Sequence, residues 1–101
     1  MGYHPFKIQW IDQDTEEWAD YKSFHARQVN KATGDESFNA GAEQYHVRLW
    51  FEVQWCKALE AVAYAPQLYR IIYRGHYFNI RDYDDYMEQH TVVRLLGEAY
   101  G

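Results

Sequence analysis

Between Gln44 and Trp55 apolar and polar residues alternate without a break. Val47, Leu49, Phe51, Val53 and Trp55 share one face, and His46, Arg48, Trp50, Glu52 and Gln54 share the other. A period of two sends successive side chains to opposite sides of a strand, so one face is core and the other meets solvent or a partner. The same alternation predicts a first strand over Pro5 to Ile11, with Phe6, Ile8 and Trp10 on one side. Pro5 stands at its start, where a missing donor is tolerated. An acidic turn, Asp12 to Glu17, leads into a second, long strand from about Trp18 to Lys31. Its alternation falters between Ala26 and Val29, as a bulge would make it do.

The segment Gln67 to Asp85 predicts a hairpin. Two runs rich in aromatic and β-branched residues flank Arg74-Gly75, and Gly75 accepts the positive φ that a turn matched to strand twist requires. Cys56 to Ala63 has helix formers, with Leu59 and Val62 three apart, and predicts a short helix ended before Pro66. Asp84 to His90 is polar and reads as a turn or a helical stub. Thr91 to Leu96 is a last strand, closed by Gly97. Ala32 to Ala42 fits neither period and carries one large apolar residue, Phe38, so it reads as a long exposed loop. The expected fold is mainly β: a small single-domain β-barrel of about six mostly antiparallel strands, one short helix, and a long loop between strands 2 and 3. Its length allows one domain, residues 1–101.

Composition changes this picture in two ways. Ten Tyr, five Phe and four Trp are many for such a chain. Tyr and Trp fill sheets, and they also anchor interfaces. Trp18, Tyr21, Trp50, Tyr69, Tyr73, Tyr77 and Tyr83 are the candidate interface aromatics. Trp50 stands out because it falls on a polar face; either a second small cluster covers it or a partner does. The net charge of −5 argues against a protein that grips phosphates, since that affinity comes from clustered Lys and Arg. It is compatible with a surface past which DNA slides.

Candidate chemistry is sparse. Asp82, Asp84 and Asp85 invite an acid–base or cation-binding reading, but Asp is favoured in turns for backbone reasons. The five histidines show no metal spacing; His25 and His46 lie on strands that would pair across the long loop. Cys56 is single, which excludes an internal disulfide and fits a reducing compartment. It reads as a small buried hydrophobe. No phosphate loop, nucleophile elbow or dinucleotide fingerprint is present. No catalytic residue, metal site or cofactor is expected, and neither a membrane span nor a signal peptide.

The run Trp18-Ala-Asp-Tyr followed by His25-Ala-Arg-Gln-Val-Asn resembles the early strand of phage head–tail joining proteins, the head closure or stopper family. Phe51-Glu-Val-Gln-Trp resembles their third strand. Tyr69 to Ile80, an arginine-isoleucine strand, a glycine turn, then aromatic-x-isoleucine, resembles their most distinctive segment. Thr91 to Leu96 matches their closing strand. Two departures stand beside this: Gln54 where a basic residue is common, and an alanine-rich, helical Cys56 to Ala63.

The resemblance implies a structural virion protein, made in the host cytoplasm, that forms a homo-oligomeric ring below the portal and its adaptor. The ring would close the DNA exit after packaging and dock the tail, through a tail terminator or tail-completion protein. Double-stranded DNA would pass without sequence-specific binding. The resemblance also implies that the long loop points into the channel as a gate. Here Lys31, Ala32, Thr33, Gly34, Asp35, Glu36, Ser37, Phe38, Asn39, Ala40, Gly41 and Ala42 hold that position. Acidic Asp35 and Glu36 would keep DNA from adhering to the channel wall. A tail terminator or minor tail protein is the alternative within the same machinery. A soluble β-barrel module that binds a peptide or oligosaccharide is the alternative outside it.

Overall fold

The computed structural model describes residues 4–32, 46–85 and 91–100. Strands β1 (His4–Asp12), β2 (Glu17–Ala26), β3 (Gln28–Lys31), β4 (His46–Gln54), β5 (Tyr69–Tyr73), β6 (His76–Asp85) and β7 (Val92–Tyr100) form one antiparallel sheet. A short helix, α1 (Leu59–Tyr64), and a single 3-10 turn over Pro66–Leu68 join β4 to β5. The strand order is β2-β1-β5-β6-β7-β4-β3.

The sheet curls round one core. Phe6 on β1 lies 5.2 Å from Phe51 on β4, although three strands separate them in the sheet. Phe51 also meets Tyr73 and Phe78 edge-on, at 5.2 and 5.7 Å, the geometry aromatic quadrupoles favour. Ile8, Val53, Ile71, Val93 and Leu95 complete the middle of this core. The expected six-strand barrel is corrected in one respect. The outermost strands, β2 and β3, are not hydrogen-bonded to each other, so the sheet is not closed by a ladder. They are successive halves of the predicted long strand, parted at Arg27, whose N–H donates to the Glu52 carbonyl at 2.6 Å. One half pairs with β1 and the other with β4, so the chain itself joins the two edges.

The alternation along β4 is kept: Phe51 and Val53 are buried, and Val47, Leu49 and Trp55 pack against the core. The helical spacing of Leu59 and Val62 is kept too; both are fully buried. The irregularity expected between Ala26 and Val29 is the break at Arg27, and a separate bulge lies at Tyr21, which is skipped in the β1–β2 register. A second bulge inserts Arg81 between Ile80, opposite Gly97, and Asp82, opposite Leu96. It resets the alternation, so Phe78 and Ile80 face inward and Tyr83, three residues on, packs against the core as well.

At the hairpin tip Tyr73 pairs with His76, and both Arg74 (φ 53) and Gly75 (φ 80) take positive φ, as a two-residue turn of the primed type demands. Gly97 does not close the last strand. It sits inside β7 between Leu49 and Ile80, and an added Cβ would meet Phe78 Cβ at 3.0 Å and Phe51 Cε1 at 3.1 Å. Two rings lie over bare backbone there, which is the reason for glycine. Of the turn or helical stub predicted over Asp84 to His90, Asp84 and Asp85 instead continue β6, and residues 86–90 lie outside the described residues.

Candidate functional site

The outer face of the sheet is a cross-strand row of polar groups set among aromatics. By register, Asp20 on β2 lies beside Gln9 on β1, Gln9 beside Arg70 on β5, Arg70 beside Asn79 on β6, and Asn79 beside Glu98 on β7. Neighbours on one face of a sheet interact directly, and Asp20, Gln9 and Arg70 do so here. Gln9 Nε2 donates to Asp20 Oδ1 at 2.9 Å, and Arg70 Nε and Nη2 both donate to Gln9 Oε1, at 2.9 and 2.8 Å. Lys7 pairs with Asp20 at 3.1 Å. The hydrogen bonds from Gln9 and Lys7 hold the Asp20 carboxyl below its usual range.

Trp18 and Tyr77 both close on Arg70. The guanidinium carbon lies 4.2 Å from the Trp18 ring centroid and 4.1 Å from that of Tyr77. Both distances are well inside the range of a cation–π contact. Tyr77 remains 57% exposed. A second stack lies on β4 and β7, where Arg94 covers Trp50 at 4.7 Å and Leu96 is opposite Trp50 in register. Leu96 is buried, apart from the main core cluster. A small second cluster therefore covers Trp50.

The other candidate aromatics have different places. Tyr73 is corrected: it is in the core, 8% exposed, because its ring fills the space against Phe51. Tyr21 and Tyr69 are half-buried, stacked edge-on at 5.2 Å, and Tyr21 donates to the Ala58 carbonyl. Tyr83 is half-buried near Trp55 and Asp85; burial pushes its phenol up to about 12. Sequence reasoning missed Trp10 and Tyr64, both exposed, the latter at the end of α1. It also missed Arg70, whose role depends on the β1–β5 register.

Of the loop segment only Lys31 and Ala32 are described. Lys31 pairs with Leu49, and the Ala32 N–H donates to the Arg48 carbonyl at 3.0 Å. Thr33 to Ala42 lie outside the described residues, as does the side chain of His46, so the His25–His46 pairing is not addressed. The carboxylate trio is split by alternation. Asp82 and Asp84 are exposed beside Leu96 and Arg94, whereas Asp85 is half-buried opposite Val93. Among the described residues no three His, Cys, Asp or Glu gather as a metal site, and no helix is long and apolar enough to cross a membrane.

Comparison with curated proteins gives no match. A model of the phage head completion protein family matches residues 11–99, which takes in β2 to β6 whole and nearly all of β7. The match agrees with the resemblance carried by Trp18 to Asn30 and Tyr69 to Ile80, and it gives the chain a structural part in finishing the phage head and a place in the virion. With the match spanning most of its strands, this chain belongs to the phage head completion protein family.

Proposed function

We propose that this protein is a connector subunit: copies of it form a ring below the portal and adaptor, close the DNA exit after packaging and offer the tail its docking surface. The observation that carries this reading is the family match, together with a surplus of chain at one position. Strands β3 and β4 are antiparallel neighbours, with Lys31 opposite Leu49. Such a pair needs a connection of about two to five residues, yet residues 32–45 stand between them. Chain beyond what a turn requires is where small domains carry function.

In this reading Lys31 to Ala42 line the channel, and Asp35 and Glu36 repel passing DNA over about one Debye length, roughly 8 Å. The ring requires heterologous contacts, one surface of a subunit on a different surface of its neighbour. Exposed Trp10, Tyr64 and Tyr77 offer aromatic area suited to this. The protein works without catalysis.

Fractionation of phage assembly intermediates tests the assignment. The protein is expected on DNA-filled heads before tails are added. Recovery on free tails instead would make it a tail terminator or minor tail protein.

A further inference from the structure

We infer that the Trp18–Arg70–Tyr77 stack is a docking site for an acidic segment of a partner protein, which places a side-chain carboxylate on the free edge of Arg70. A guanidinium has five N–H donors. Nε–H and one N–H of Nη2 are spent on Gln9 Oε1. The two on Nη1 and the second on Nη2 are not taken by any described residue, and one N–H of Nη1 with that of Nη2 forms the end-on fork that matches the two oxygens of a carboxylate. Among the described residues no carboxylate lies within ion-pair distance of Arg70; the ion pairs that flank it join Lys7 to Asp20 and Arg81 to Glu98.

The group is already immobilised. The Trp18 and Tyr77 rings both lie within 4.2 Å of its guanidinium carbon. Gln9, which holds its inner edge, is itself oriented by its bond to Asp20. A partner therefore meets a donor pair that loses little freedom on binding. Exposed Tyr77 supplies an apolar rim for the peptide beside the charge. The neighbouring Asp20, 61% exposed, and the net charge of −5 disfavour a polyanion such as nucleic acid at the same place. A single planar monoanion fits better.

The site is a property of the isolated subunit and stands whether or not a ring forms. Its test is a titration of the full chain, followed by nuclear magnetic resonance of the Arg70 Nε–H and the Trp18 and Trp50 indole N–H groups. The probe is an acetylated, amidated alanine peptide that carries one central glutamate. Saturable shifts at Arg70 and Trp18, with Trp50 unmoved, are expected. Arg70→Lys keeps the charge and loses the fork, and binding should weaken by about tenfold or more. Gln9→Glu supplies a carboxylate from within the chain and should weaken it as well, while Arg94→Lys should not. Absence of a saturable shift, equal binding by a folded Arg70→Lys variant, or tighter binding of duplex DNA than of the peptide would each overturn the inference. An equal response to an alanine peptide with a free C-terminus would do so too.

Discussion

The hydroxyl of Tyr21 donates to the backbone carbonyl of Ala58 at 2.6 Å, across 37 positions of chain. The bond ties the bulge of β2 to the residue that precedes α1, and so holds the helix against the core end where Leu59 and Val62 are buried. Tyr21→Phe removes the donor and leaves a partly buried carbonyl without it. We expect a loss of about 1 kcal/mol in chemical denaturation. No measurable change would mean that water replaces the hydroxyl freely.

Gly97→Ala should destabilise the fold by about 1–3 kcal/mol, the range for overpacking. The new methyl would press on Phe78 Cβ, which belongs to a backbone-anchored part of the side chain and cannot swing away. Thermal unfolding of the variant checks this.

The hairpin tip gives changes of opposite sign. Arg74 has φ 53 without being glycine or asparagine, and its guanidinium stacks on Tyr73 at 5.2 Å. Arg74→Asn relaxes the backbone and should stabilise by some tenths of a kcal/mol, up to about 1. Gly75→Ala, at φ 80, should cost about 1 kcal/mol through strain alone, since open space surrounds its Cβ position. Stability curves of both variants against the parent decide it.

Alkaline titration should single out Tyr83. Its folded pKa is raised from 10.0 to about 12 by burial, by the charge of Asp85 and then of Cys56, against a hydrogen bond from Trp55. A raised value means that the neutral phenol is favoured in the fold. Its contribution to stability is complete below pH 10.0 and is lost as pH rises through about 12. Phenolate absorbance should show a late step that Tyr83→Phe removes. Asp20 works in the opposite direction: its lowered value gives a contribution present above 3.8 and lost as pH falls through the folded pKa.

These residues also show how far the sequence could be read. The faces of β4 and the Leu59–Val62 face of α1 were legible because each follows a single period with no interruption. The hairpin was legible because Gly75 marks its turn. Tyr73 was misplaced because a tyrosine has the same letters in a core and on a surface; only its ring contact with Phe51 decides. Gly97 was misread because glycine ends strands as often as it admits a ring within one, and the rings come from β4 and β6. The Arg70 stack brings together positions 9, 18, 70 and 77. No local pattern connects them, since their meeting depends on strand order and on a bulge.

Deletion of Gly34 to Gly41 should leave the fold intact, because the pairing of β3 with β4 and the core formed by the described residues do not draw on it. In assembled particles the same deletion should impair DNA retention. Loss of the folded state in circular dichroism would show the segment to be structural instead.

DNA retention by heads assembled without this protein tests the central claim most directly. The account predicts that such heads package DNA, then lose it, and fail to join tails, and that adding the purified protein restores both. Heads that keep their DNA and bind tails normally in its absence would contradict it.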